Sequence, residues 1–350
     1  MRARLTAEQQ RALAQATDYN TWRTHAVDLD AQAGMDVWKS DPHSAFYQHR
    51  LIQQRLINLR NWRKAGDWAQ VIFSLREGLH RNLGNLASPE LYKYTRVGTK
   101  FLIDDYINEV TSLLNHVCDN EIPGLPYAEK LMFFRHTGQS FGRSALMLSG
   151  GANMGMFHLG VIKALRERKL LPRVISGSSA GSVVAAFLGT RKDHELDMLF
   201  TGEGMDRKSW KRLGLRDMLQ QRSIMDIHAL ERFLRQNLGE YTFEEAFKRT
   251  KRIINITVSP VDKNQQARLL NYLTTPHLLV WSAVMASCSV PGLFPPVKRM
   301  TKDRLGNEKP YMAAIRWVDG AIQSDLPAKR LGELYNVNHH IVSQTNPHVL

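Results

Sequence analysis

The chain has 350 residues, enough for about two domains, and 43% of them are hydrophobic, which excludes a disordered or low-complexity protein. Its only cysteines, Cys118 and Cys288, exclude a disulfide framework and point to a reducing compartment; with scattered histidines they form no metal set. The formal charge of +14 is uneven, because residues 1–140 hold 17 Lys/Arg against 15 Asp/Glu while residues 141–350 hold 30 against 18.

Met1 to Gln10 lack the apolar core of a signal peptide. From Tyr19 to about Asp119 the pattern is helical. Phe101, Leu102, Tyr106, Ile107, Val110, Leu113, Leu114 and Val117 recur every three or four residues around Asp104, Asp105 and Glu109, which predicts an amphipathic helix. Ser88-Pro89-Glu90 reads as a helix N-cap followed by proline, and Gly66-Asp67 separates helices ending near Lys64 and His80. His25 and Asp30 have the H-x4-D spacing of glycerolipid acyltransferases, a match expected by chance among 13 histidines.

The pattern then changes to alternating strands and helices. Ala145 to Leu148 is a short apolar strand, followed by Ser149-Gly150-Gly151-Ala152-Asn153-Met154-Gly155 and a helix through Phe157, Val161, Ile162 and Leu165. A glycine-rich turn opening a helix exposes backbone N–H groups suited to a phosphate or an oxyanion. A dinucleotide site fails, because Ala152 stands where the second glycine of G-x-G-x-x-G belongs and no acidic residue follows about 20 residues on. A phosphate-binding P-loop fails for want of Gly-Lys-Ser/Thr. An oxyanion loop remains.

Val174-Ile175-Ser176 is a second strand, leading through Gly177-Ser178-Ser179-Ala180-Gly181 into a helix running through Val183 to Leu188. This G-x-S-x-G turn between strand and helix pushes Ser179 out as a nucleophile, and only small neighbours such as Gly177 and Gly181 permit it. Further strands are predicted near 253–259, 316–319 and 340–344. Lys248 to Arg252 reads as a solvated lead-in to the first of these. Leu269 to Val297 carries no Lys, Arg, Asp or Glu, but its prolines and polar residues predict a helix from Pro276 to about Ser287 and a proline-rich loop rather than a membrane span. Trp317-Val318-Asp319-Gly320-Ala321 ends a strand with an acid. Alone it reads as an ordinary Asp-Gly turn; beside Ser179, a carboxylate whose pKa is raised by burial would accept the serine proton directly.

The glycine-rich loop, the G-x-S-x-G elbow and Asp319-Gly320-Ala321, in this order and spacing, resemble the patatin-like phospholipases. That family implies a three-layer α/β/α sandwich with a mostly parallel sheet and a Ser-Asp dyad without histidine or cofactor. Mapped here, the dyad is Ser179 and Asp319, and the oxyanion donors are the amides of Gly150, Gly151 and Ala152. The loop departs from the family pattern at Ala152, where a third glycine is usual, and at Met154. Tyr19-Asn20-Thr21-Trp22, Asp36-Val37-Trp38-Lys39 and Leu79 to Gly84 resemble the all-α domain that precedes the core in fungal and plant triacylglycerol lipases and their bacterial relatives, as does Asn336 to Gln344. The expected division is a helical domain over 1–140 and a catalytic domain over 141–350. The family also implies that the run beside Pro276 to Ser287 lines the acyl pocket.

The resemblance implies hydrolysis of long-chain acyl esters in triacylglycerols or phospholipids. The basic clusters Lys163, Arg166, Arg168, Lys169 and Lys298, Arg299, Lys302, Arg304 predict an anionic membrane or lipid-droplet surface as partner, and no nucleic-acid signature accompanies them. The expected place is cytoplasmic and peripheral to membranes. Two alternatives stand beside this reading. His339, His340 and His348 follow Asp319 in the order of a Ser-acid-His triad. Relatives also usually continue past the point reached at Leu350, so a shortened domain would suit a non-catalytic lipid-binding protein. No motif specifies oligomeric state.

Overall fold

The computed structural model describes residues 6–201, 226–262, 264–320 and 325–346; Met1 to Leu5, Ala321, His348 and Leu350 lie outside them. The chain divides into two compact units, Met1–Gly142 and Arg143–Leu350.

The first unit is helical: α1 (Ala7–Gln15), α2 (Tyr19–Gln32), α3 (Met35–Ser40), α4 (His49–Ala65), α5 (Trp68–Gly78), α6 (Phe101–Asp119) and α7 (Tyr127–Phe141). Gly66 ends α4 in the left-handed conformation and Asp67 caps α5 by accepting from the Gln70 N–H. The core stripe of α6 is Ile103, Tyr106, Val110, Leu113 and Val117, so the apolar face is rotated from the one expected, and Phe101 and Ile107 are exposed. Ser88 makes no capping bond, and Pro89–Tyr92 is a single 3-10 turn. Asp30 is fully buried, accepting from the N–H groups of Arg96 and Val97 and from the Arg96 guanidinium at 3.1 Å, which makes it a structural anchor.

The second unit is an α/β sandwich on a mostly parallel sheet. Its strands are β1 (Arg143–Leu148), β2 (Val174–Gly177), β3 (Ile253–Pro260), β4 (Arg268–Leu270), β7 (Trp317–Asp319) and β8 (Val337–Ser343). The order is β4-β3-β2-β1-β8, with β1, β2, β3 and β8 parallel and β4 antiparallel to β3. Strands β5 (Arg299–Lys302) and β6 (Glu308–Tyr311) form a separate hairpin. Consecutive side chains of the central strands enter opposite cores. Leu146, Leu148, Ile175 and Ile254 pack on one face with α8 (Phe157–Glu167), α9 (Ala180–Thr190), Leu199 of α10 (Asp197–Thr201), α11 (Ile227–Leu238) and α13 (Val280–Ser287). Ala145, Met147, Val174 and Ile253 pack on the other with α14 (Ala328–Tyr335) and with Phe247 of α12 (Phe243–Thr250).

Helix α13 is buried along its whole length. It starts at Val280 rather than Pro276, because the amides of Leu278 and Leu279 are taken by Thr275 O and Met300 O, outside any helical ladder. No helix among the described residues is long and apolar enough to cross a membrane. The basic cluster after the proline-rich loop is not all surface: Arg299 is fully buried and Lys302 pairs with Glu245. In the earlier cluster Arg166 pairs with Asp197.

Candidate active site

Strand β2 stops at Gly177, opposite Ile256 of β3. Its continuation turns back on itself, with Ser178 N–H donating to Leu148 O at 3.2 Å and Gly181 N–H donating to Ser178 O at 2.8 Å. Ser179 at the apex has φ 49° and ψ −122°, a conformation that costs an L-residue on the order of 1–3 kcal/mol. The turn tolerates no larger neighbours. A Cβ on Gly177 would lie 2.3 Å from Gly181 O, and one on Gly181 would lie 2.3 Å from Leu148 O. The half-buried Ser179 therefore stands at the N-terminus of α9 with its hydroxyl off the helix.

Asp319 reaches the same place along β3. Both Arg268 of β4 and Asp319 of β7 pair with Val258, so β7 occupies the edge that β2 has vacated. Gly177 is opposite Ile256 and Asp319 opposite Val258, a separation of about 7 Å along that edge at the rise of a strand. Gly320 lies between them, where a Cβ would come within 2.4 Å of the Thr257 carbonyl.

The C-terminal end of α13 ties the two together. Ser179 N–H donates to Ser287 Oγ at 2.9 Å, and that hydroxyl donates to Thr257 O at 2.8 Å. Cys288 Sγ is 3.4 Å from Ser179 O. Asp319 N–H donates to Ser289 O at 3.0 Å, and its carboxyl is 3% exposed as a residue. Burial, with the Asp319 carboxylate beside it, pushes the Cys288 thiol up to about 12. The segment Ser287-Cys288-Ser289, which the sequence reading did not single out, thus holds both candidate residues. Its signal was a polar run at the C-terminal end of an otherwise apolar helix.

The glycine-rich loop follows β1. Gly151 has φ 157° and would place a Cβ 2.3 Å from Thr345 Oγ1. Ala152 takes φ 47°, the left-handed region the missing glycine would have entered more cheaply. Ala152 opens a 3-10 turn, so its amide has no acceptor within the helix. The Gly150 N–H donates to Asp325 Oδ1 at 2.9 Å. Asp325 is a residue that sequence reasoning passed over; burial raises its pKa, against the Gly150 bond.

The histidines lie elsewhere. His339 and His340 pair with Ser144 and Ala145 at the start of β1, and His339 Nδ1 is 3.0 Å from Ser144 Oγ. The elbow follows the other ends of the strands, about 10–13 Å further at the strand rise. His158 is fully buried below the loop, and His348 is outside the described residues. Among the described residues no group of His, Cys, Asp and Glu could hold a metal ion.

Comparisons with known proteins identify the family. Residues 2–139 match a domain of unknown function, DUF3336, and residues 146–331 match the patatin-like phospholipase model. The chain is 40% identical to triacylglycerol lipase SDP1L of Arabidopsis thaliana over 100% of its own length and 43% of that protein. It is 37% identical to triacylglycerol lipase 4 of Saccharomyces cerevisiae, over 95% of this chain and 38% of that one. It is 36% identical to triacylglycerol lipase ptl2 of Schizosaccharomyces pombe, over 96% and 54%. The chain thus spans about half or less of the length of these relatives. Among solved structures, VipD from Legionella pneumophila is similar at a TM-score of 0.35 and 17% identity, over 58% of this chain and 50% of that one. With a family model covering more than half of its residues, the chain belongs to the patatin-like phospholipase family.

Proposed function

We propose that this chain is a serine carboxylic-ester hydrolase that cleaves long-chain acyl esters of glycerolipids through a Ser179-Asp319 dyad. The observation that carries the reading is the strained Ser179 apex, fixed by the same three-residue segment that fixes Asp319. Asp319 takes the proton as Ser179 Oγ attacks the ester carbonyl carbon. The tetrahedral oxyanion is held by loop amides at Gly151 and Ala152, near the N-terminus of α9. The Gly150 amide joins them only when Asp325 releases it. Collapse breaks the C–O bond and the leaving alcohol takes the proton from Asp319. Water then attacks the acyl carbon with the same carboxylate as base, the bond to Ser179 Oγ breaks, and Oγ takes the proton back from Asp319 as the fatty acid leaves.

Lipid as substrate is supported by the names of the relatives and by the residues after the loop. Met154, Met156 and Phe157 expose large apolar side chains beside the site, as a surface that dips into lipid would. The basic excess of residues 141–350 favours an anionic membrane or lipid-droplet surface in a reducing, cytoplasmic compartment. We assign catalysis to the unit from Arg143 onward and a packing or docking role to the helical unit.

The test is hydrolysis of a medium-chain p-nitrophenyl ester, and then of triacylglycerol and phospholipid emulsions, by the parent, Ser179→Ala and Asp319→Asn proteins. Losses of about 10⁴-fold are expected in both variants with unchanged circular dichroism. Activity retained in Ser179→Ala overturns the proposal.

A further inference from the structure

A cavity of about 720 Å³ opens on the β4 side of the second unit, away from the elbow's edge of β3. Its wall includes Arg299 of β5, which is 0% exposed. The Nε, Nη1 and Nη2 atoms of Arg299 are all buried, and none has a hydrogen-bond partner among the described residues. The guanidinium lies 3.4 Å from the Trp317 ring centroid and 4.9 Å from that of Tyr311. Those π-faces stabilise a cation, but they leave its five N–H donors without acceptors. A buried, charged donor fork with nothing to donate to is an expensive feature that folded proteins ordinarily avoid.

The charge around the cavity makes the omission sharper. Arg268, Lys329 and Arg330 also line it, and the one acid among the described lining residues, Glu333, is engaged by Arg330 at 2.8 Å. Burial, with a smaller push from the nearby Arg268, pulls the Arg299 pKa down to about 9. Lys329 and Arg330 occupy the first turn of α14, the end of a helix where cations are unfavourable and anions are favoured. Thr257 Oγ1, also on the wall, is another buried polar atom without a partner among the described residues.

We propose that this cavity is a second ligand site, separate from the Ser179-Asp319 site, which binds an oxyanion group, a carboxylate or a phosphate, on the Arg299 fork. Such a group accepts two parallel N–H bonds from a guanidinium. The apolar lining from Leu269, Leu270 and Leu326 has room for part of a chain attached to it. The two sites touch through Thr257, whose carbonyl holds Ser287, and through Trp317, two residues before Asp319.

The test is calorimetric titration of the 350-residue chain with inorganic phosphate, with octanoate and with octanol as the uncharged control. One Arg299-dependent site is expected for at least one anion and none for octanol. Phosphate binding without octanoate assigns a phosphate group; tighter octanoate binding assigns a carboxylate with a tail. Arg299→Met should weaken binding at least about tenfold, since a hydrogen bond to a charged group contributes about 1.5–3 kcal/mol. Arg299→Lys, which keeps the charge and loses the fork, should fall between. In anion-free buffer Arg299→Met should melt no lower than the parent, because it removes an unpaired buried charge. Saturating anion should then raise the melting temperature of the parent alone. Should Arg299→Met not fold, slower hydrogen exchange in the parent over Arg299–Lys302 and Ala328–Arg330 on adding anion is the readout. No binding of either anion, or equal binding by parent and Arg299→Met, overturns the proposal.

Discussion

Ser287→Ala is the sharpest perturbation of the candidate site, because one hydroxyl serves two backbone groups. Ser287 is fully buried, accepts from the Ser179 N–H and donates to the Thr257 carbonyl. Alanine leaves both without that partner at a fully buried position. Each unsatisfied backbone group costs about 1–3 kcal/mol, so the loss should be about 2–4 kcal/mol, allowing for partial relaxation. For a unit of about 200 residues this lowers the melting temperature by roughly 5–15 °C. Ser182→Ala is the matched control. Its hydroxyl also meets the elbow, donating to Ser179 O at 2.6 Å, but that carbonyl keeps the Ser182 N–H at 2.9 Å. The control should therefore cost only about 1 kcal/mol. Relaxation of the Ser179 backbone should also reduce ester hydrolysis by about 10–100-fold, as small misplacements of a reacting group do. Thermal unfolding followed by circular dichroism, with the p-nitrophenyl ester assay, reads both effects. If Ser287→Ala melts no lower than Ser182→Ala, the hydroxyl does not hold the elbow and the reasoning fails.

Three further outcomes are expected. Ala152→Gly should raise stability by up to about 1 kcal/mol in urea unfolding, since glycine enters the φ 47° conformation without a Cβ penalty; a loss would show that the alanine methyl packs usefully. Asp325 has a folded-state pKa raised above its unfolded value, so its ionisation in the folded protein lowers stability as pH rises through the folded pKa. Asp325→Asn should therefore gain on the parent between acidic and neutral pH, and melting curves that stay parallel across that range would contradict it. With a pKa of about 12, Cys288 holds only about 10⁻⁴ of its thiol as thiolate at pH 8. Iodoacetamide should accordingly label the exposed Cys118 in the folded protein and both cysteines only after unfolding, as read by mass spectrometry.

What the sequence disclosed follows from how local each constraint is. The elbow was legible because only small residues fit around Ser179, so the requirement is written in Gly177, Ala180 and Gly181. Sheet strands were legible as short apolar runs, and their alternation between two cores is the period of a strand. The proximity of Asp319 to Ser179 was not readable from spacing, since 140 residues separate them; it arises from β7 taking the edge of β3 that β2 leaves. Ser287 and Asp325 were missed because their partners are backbone amides, which no sequence pattern marks. Arg299 was misplaced on the surface by its charge. Its strand neighbours carried the opposite signal, for Val297 and Thr301, two residues away on either side, are buried with it.

The position of His158 gives it an anchoring role in the proposed mechanism and not an acid–base one. Its Nε2 is 3.0 Å from Ser149 O, which can only accept, so that nitrogen carries the proton. Nδ1, 2.7 Å from Ser343 Oγ, is then the acceptor. Both nitrogens are committed, and burial holds the ring below the usual imidazole range, so it stays neutral. The Thr345 hydroxyl donates to Gly150 O at 3.0 Å in the same network. In a trans peptide the C=O and N–H point in opposite directions. Pinning Ser149 O to His158 therefore turns the Gly150 N–H away from the network, and pinning Gly150 O to Thr345 does the same for the Gly151 N–H. The first of these amides already meets a carboxylate oxygen, that of Asp325. A loop whose carbonyls are tied down from below presents its donors on the other side, where negative charge is received. In the proposed mechanism histidine thus aims the oxyanion donors, and proton transfer is left to Asp319.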